Sequence, residues 1–280
     1  MTTVKPFDKQ YEDKILILLE DFHNSNIDTE QWRSIWENPW RNENEIPGYM
    51  LLDEDRVVGF LGFVYGSRII NGTEYRFCNM TSWIVKPEYR ADSLKLVMPI
   101  LKMKEYSITN LTPSVTVRQI IEKLGFTKID NDVLLLPSIP FALSNSYSVS
   151  FRIDESILNE SEKSIYSQNK MFDIQFGVIR NQDKYCLFAY KIRIKKGIKF
   201  CYILYISNPE LFAKSAMYLR YKLFWKTFTP FMMIDSRLIK CQKMAFSYRL
   251  SGRFPKYFKT KLDDIGEIDN LNTEFVLLNN

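Results

Sequence analysis

The sequence predicts a mixed α/β (α+β, mixed-sheet) fold in two tandem domains, 1–140 and 146–280, the second a degenerate repeat of the first. Three features predict it. The first half reads as two helices, an antiparallel meander and then strand–helix–strand–helix. Leu136-Pro137-Ser138-Ile139-Pro140 and Ser144-Asn145-Ser146 then interrupt every periodic pattern, which marks a boundary. Beyond it, Pro209-Glu210-x-x-Ala213-x-Ser215 repeats Pro87-Glu88-x-x-Ala91-x-Ser93, each motif following an apolar strand and opening a helix.

Taken in order, Asp8 caps a first helix whose apolar face is Tyr11, Ile15, Leu18, Leu19 and Phe22. A second short helix carries Trp32, Ile35 and Trp36 and stops at Asn38-Pro39. Gly48 to Leu52 is a strand, Asp53-Glu54-Asp55 an acidic turn, and Arg56 to about Ile70 a long strand. Asn71-Gly72 is a two-residue hairpin signal that returns the chain as Glu74 to Lys86. A helix over Asp92–Lys104, the strand Tyr106–Asn110, a helix over Val117–Leu124 and a closing hairpin from Phe126 to Leu136 complete the half. In the second half, the strand Cys201–Ile206 precedes the Pro209 helix, and Phe231–Ile234 follows it. Lys191 to Lys199 alternates basic with apolar residues, the pattern of a strand with one solvated face.

Composition narrows the function classes. The chain is globular, with 46% hydrophobic and 25% charged residues, and no apolar run approaches the roughly 20 residues that span a bilayer. Met1 to Phe7 lacks the basic-then-apolar layout of a signal peptide, so a soluble cytoplasmic protein without a membrane partner is expected. The net charge of +5 is spread along the chain rather than blocked, which argues against a nucleic-acid partner. With His23 as the single histidine, no multi-histidine metal site forms and no metal is expected. Cys78, Cys186, Cys201 and Cys241 are scattered and read as reduced core residues.

Trp83-Ile84-Val85-Lys86-Pro87-Glu88-Tyr89-Arg90, answered by Glu122-Lys123-Leu124-Gly125-Phe126, is similar to the paired signatures of the GNAT (acyl-CoA N-acyltransferase) superfamily. The resemblance covers residues 1–140 and implies acetyl-CoA or another acyl-CoA as co-substrate, its pyrophosphate on backbone N–H groups between the strand end and the next helix. Ile84, Val85, Arg90, Ala91, Asp92, Ser93, Leu94 and Lys95 are the cofactor-binding positions so implied. The family pattern Arg/Gln-x-x-Gly-x-Gly/Ala departs here, because Ser93 and Lys95 replace the glycines that let backbone approach phosphate. Asp92 adds a negative charge that is unfavourable beside an anion unless it turns outward to cap the helix. Weakened binding and lost binding both stay open.

The catalytic positions of the resemblance depart too. Ile121 stands where many members carry an acidic tyrosine, and Asn79 where histone-acetylating members carry a glutamate base. Reaction would then use a backbone N–H near Ile84 or Val85 and a water relay past Asn79, Thr81 or Ser82. Period-2 alternation sets Asn79, Thr81 and Val85 on one strand face and Ser82 on the other. Tyr75, Tyr89 and Tyr106 are candidate replacement acids. Trp32, Trp36, Trp40 and Tyr49 fall in the region that shapes the family's acceptor pocket, and aromatic faces suit a sugar ring or an apolar amine. The function implied is acyl transfer from acyl-CoA to a small-molecule amine or amino sugar by direct attack in a ternary complex. The alternatives are a catalytically inactive binding or scaffold protein, and transfer from another donor. Asp235-Ser236-Arg237 and the tail Glu274–Leu278 read as ordered, with no chemistry assigned.

Overall fold

The structure, a computed structural model, describes all residues except 24–25, 71, 130–131, 142–145, 196, 241, 261–267 and 280. β1 (Thr3–Pro6) leads to a 3₁₀ turn in which Gln10 N donates to the Asp8 side chain, and then to α1 (Glu12–Glu20), which buries Ile15, Leu16, Leu18 and Leu19. Asp28 and Gln31 form a capping box at the start of α2 (Thr29–Glu37), and Asn38 closes it. β2 (Gly48–Asp53), β3 (Arg56–Ile70) and β4 (Thr73–Val85) form the meander, with Gly72 in the left-handed region (φ +79°) between β3 and β4. Asn71, the other half of that hairpin signal, lies outside the described residues. β5 (Tyr106–Asn110), α3 (Val115–Lys123) and β6 (Thr127–Ile129) follow.

The later elements are β7 (Asp132–Pro137), β8 (Ser148–Ser150), α4 (Glu160–Asn169), β9 (Gln175–Asn181), β10 (Lys184–Lys195) and β11 (Ile198–Ile206). They continue with α5 (Pro209–Thr227), β12 (Phe231–Asp235), β13 (Tyr248–Ser251), β14 (Lys256–Lys259) and α6 (Glu274–Leu277). Two seven-stranded mixed sheets result, ordered β1-β2-β3-β4-β5-β14-β6 and β13-β7-β12-β11-β10-β9-β8. In the first, Ile35 of α2 reaches Gly62 on one face of β3, while Leu61, Phe63 and Met80 on the other face join a core with Leu96, Val97, Ile100 and Ile121. In the second, Phe188, Cys201, Ile203 and Leu136 are buried with Phe212, Leu219 and Leu223 of α5.

The closing hairpin expected over Phe126–Leu136 does not form. β6 pairs with β14 in the first sheet, whereas β7 pairs with β12 and β13 in the second. Each sheet thus takes one strand from the other half of the sequence, in matching positions: β14 between β5 and β6, and β7 between β12 and β13. The compact units are accordingly Met1–Ile129 with Lys256–Asp263 and Asn272–Asn280, and Asp130–Pro255 with Asp264–Leu271, rather than the contiguous halves 1–140 and 146–280.

Two local expectations also change. The helix over Asp92–Lys104 is replaced by 3₁₀ segments at Pro87–Leu96 and Ile100–Lys102, since Pro99 can neither donate to an α-helical ladder nor leave its predecessor helical. Lys191 is 2% exposed and Ile194 60% exposed, so the basic residues do not all share a solvated face. A register shift between Ala189 and Tyr190 breaks the alternation just upstream, and burial lowers the Lys191 ammonium to about 8.

Candidate active site

β4 and β5 pair in parallel from Arg76↔Tyr106 to Asn79↔Thr109 and then part, while β4 runs on to Val85. Just past the parting point β4 is bulged. Thr81 pairs with Gly62 and Ile84 with Phe60, so Ser82 and Trp83 together oppose Leu61, and Ser82 takes a left-handed φ of 53°. The inserted residue inverts the alternation. Ile84 therefore joins Asn79 and Thr81 on one face, and Val85 turns to the other, where it packs against the core of Leu51, Val58 and Leu61. This corrects the expectation that Val85 shares a face with Asn79 and Thr81. The Lys86 N–H donates to Val58 O at 2.9 Å, so the Val85 N–H, one residue earlier, points away from β3 toward the edge that β5 has left.

A cavity of about 290 Å³ opens at this parting. Thr81, Ser82 and Trp83 of β4 line it opposite Asn110 and Thr112, and Trp32, stacked on Phe22 at 5.7 Å, forms a further wall. Of the four aromatics expected near an acceptor, Trp32 is the one that reaches the cavity. Trp36 packs on Phe7 and Phe60, and Tyr49 lies edge-on to Phe63 on the opposite sheet face.

Among the expected phosphate-binding residues the geometry differs from an open loop. Within Pro87–Leu96 the 3₁₀ pattern sends N–H groups to carbonyls three residues back, so the amides of Arg90–Lys95 do not form a free anion cradle. Asp92 does not cap a helix. Its carboxylate pairs with Lys95 at 2.8 Å and accepts from Thr2 Oγ1 at 2.5 Å, and the Lys95 ammonium also donates to Thr2 Oγ1 at 3.0 Å. Hydrogen bonds from Lys95 and then Thr2 hold the Asp92 carboxyl below the usual carboxylate range. Arg90, Ala91 and Leu94 are exposed, Ser93 is half-buried, and Ile84 and Val85 stand on opposite sides of the strand end.

None of the candidate replacement acids lines the cavity. The Tyr89 hydroxyl donates to Asp53 at 2.8 Å, Tyr106 donates to Glu45 at 2.8 Å, and Tyr75 sits at the hairpin end of β4, opposite Arg68. Ile121 is fully buried in the core.

Asn79 does not line the cavity. It is buried beneath it in a network that the sequence reading missed: its Nδ2 donates to Glu274 Oε2, and Thr109 Oγ1 donates to its Oδ1 at 3.0 Å. Thr112 Oγ1, on the exposed cavity rim, donates to the other carboxylate oxygen of Glu274 at 2.7 Å. Glu274 has no exposed surface, and burial pushes its carboxyl above the usual range, opposed by the Thr112 and Asn79 hydrogen bonds and the charge of Lys256. The signal available in the sequence was an acidic residue heading an apolar run, behind Thr273 as helix cap.

Among solved structures, a GCN5-related N-acetyltransferase from Anabaena variabilis ATCC 29413 superposes with a TM-score of 0.63 at 12% identity, over 92% of this chain and 72% of that one. The chain has the GNAT fold. A GNAT-fold match of TM-score 0.55 at 8% identity is Saccharomyces cerevisiae N-myristoyltransferase with bound myristoyl-CoA, over 92% of this chain and 82% of that one. A third is the GCN5-related glucosamine N-acetyltransferase region of a fungal multi-domain GH3 β-N-acetylglucosaminidase, with TM-score 0.57 at 10% identity over 92% and 38% of the two chains. No protein-family model and no curated protein matches the sequence. Among the described residues no helix is long and apolar enough to cross a membrane, and no group of three or more His, Cys, Asp or Glu residues is placed to hold a metal ion.

Proposed function

We propose that the β4–β5 opening accepts the thioester arm of an acyl-CoA and that the protein transfers the acyl group to a primary amine, an amino sugar first among the acceptors. The observation that carries this is the parting of β4 and β5 beyond Asn79 and Thr109, with the Ser82 bulge aiming the Val85 N–H into the gap. A donor aimed where charge develops on a thioester carbonyl supplies electrostatic stabilisation without reorganisation. Thr81 and Ser82 line the cavity beside it, and Trp32 offers an aromatic wall for a sugar ring or an alkyl amine. Arg90, exposed beside the strand end, is the cation left to meet the phosphates, since Lys95 is engaged by Asp92. The cytoplasm, where thiols stay reduced, suits the free Cys78, Cys186 and Cys201.

One set of observations favours a second reading, a binding or scaffold protein without activity: the 3₁₀ turn that engages its own amides and the Asp92–Lys95 pair that neutralises the added cation. Thermal-shift titration with acetyl-CoA, longer acyl-CoAs and free CoA separates the two. A ligand at a hundred times its dissociation constant stabilises the native state by about 2.7 kcal/mol. Acyl transfer predicts a shift with at least one acyl-CoA and its loss in Arg90→Glu; no shift with any of them selects the scaffold.

A further inference from the structure

Position 79 carries an amide, which cannot accept a proton at neutral pH, and both of its polar atoms are engaged, by Thr109 and Glu274. The nearest carboxylate comes instead from the C-terminal segment. That segment is anchored on β3, where Arg68 Nη2 donates to Asn272 Oδ1 at 2.9 Å and Asn272 lies directly over Gly66. Two residues on, Glu274 enters the sheet face fully buried and binds both Asn79 and Thr112. Thr112 is exposed and lines the cavity, and its hydroxyl donates to Glu274 Oε1.

We propose that Glu274 is the proton acceptor for the attacking amine, with the Thr112 hydroxyl relaying the proton from the cavity to Glu274 Oε1. This rests on the acyl-transfer reading of the same cavity. An ammonium acceptor gives one proton to the Thr112 oxygen as that hydroxyl passes its own to Glu274. The neutral nitrogen then bonds to the thioester carbonyl carbon, the carbon–sulfur bond breaks, and the departing thiolate takes the second amine proton. The products are the amide and a free thiol, and Glu274 returns its proton by the same path. Thr112 is the group that meets the amine, and Glu274 acts through it. The facing groups are Asn79 of β4, Thr109 of β5, Thr112, and the Lys256 ammonium of β14, whose positive charge opposes the effect of burial on the carboxyl.

The test compares amines that differ in charge. Full-length protein is assayed for CoA release from acetyl-CoA with glucosamine and other alkyl amines, which are protonated in part or whole, and with hydroxylamine, which is neutral at the assay pH. Glu274→Gln and Thr112→Val should each lower kcat/KM for the alkyl amines by about 10²-fold or more. Both should leave hydroxylamine transfer and the acetyl-CoA thermal shift within a few fold of wild type, and Thr112→Ser should restore the alkyl-amine rate. Equal losses for both kinds of amine, or no loss for either, would overturn the proposal while leaving acyl transfer in place. A wild type that binds no acyl-CoA would overturn both. If Glu274→Gln fails to fold, the Thr112 pair carries the comparison. If acetyl-CoA binds and no amine reacts, infrared difference spectra of wild type against Glu274→Gln decide: a carboxyl band that titrates within roughly pH 4 to 9 supports the role, and one that never titrates there refutes it.

Discussion

Gly66→Ala is the sharpest structural test of how the C-terminal segment reaches the site. A Cβ at position 66 would lie 2.7 Å from Asn272 Cβ and 3.2 Å from its Cγ. Neither contact can be relieved by a flexible side-chain end, because Asn272 Cβ is fixed to a backbone held at φ 52°. β3 cannot yield freely either, being hydrogen-bonded along this stretch to β4, where Gly66 pairs with Phe77. The segment must lift, and overpacking of this kind costs about 1–3 kcal/mol. Lifting also loosens the Arg68–Asn272 bond and the Glu274 bonds to Asn79 and Thr112, each worth roughly 0.5–1.5 kcal/mol net or more where charged. At about 2–4 °C per kcal/mol for chains a little shorter than this one, thermal unfolding followed by circular dichroism should fall by several degrees. Amide exchange in residues 272–278 should quicken at the same time. An unchanged melting temperature with unchanged exchange in that segment would refute the docking of Asn272 over Gly66.

Three further outcomes follow from the same geometry. Burial raises the Glu274 carboxyl above its unfolded value, so the native state binds the proton more tightly than the unfolded chain. Stability relative to Glu274→Gln should therefore be greatest at low pH and fall as pH rises through the raised value, and urea midpoints of the two proteins measured against pH check the sign. Asp92→Asn should release Lys95 toward an anion and tighten acyl-CoA binding in a salt-dependent way, with little loss of stability because the pair is part-exposed; calorimetry at two salt concentrations reads both. Ser82→Gly should be close to neutral and Ser82→Val destabilising by about 1–2 kcal/mol more, since only glycine adopts the left-handed bulge without strain; denaturant unfolding measures the difference.

Much of the first unit was legible because its signals are local. The capped helices, the glycine turn, the strands on either side of it, the β5 strand and the helix ending before Gly125 each follow from residues within a turn or two of one another. What escaped was set at long range. Nothing near Val133 or Leu136 says that their partners are Asp235 and Met232 rather than residues of β6, nor does Tyr257 announce that it joins a sheet beginning at Thr3. The Ser82 bulge had no sequence mark either, since serine does not favour a left-handed conformation. Counting by twos through it therefore put Val85 on the wrong face. Thr81 and Ser82, picked out in the sequence, line the cavity, and the amide at position 79 was plain from the residue type. Glu274 was not legible there, because a carboxylate far along the chain meets Asn79 only through the fold.

The central claim is that acyl-CoA enters where β4 and β5 part. Hydrogen exchange of the full chain with and without acetyl-CoA tests it most directly. The account predicts protection concentrated in residues 81–86 of β4 and 110–114 beyond β5, with the Val85 amide among the slowed sites. Exchange unchanged in both segments at saturating acetyl-CoA, or protection confined to strands of the second sheet, would contradict it.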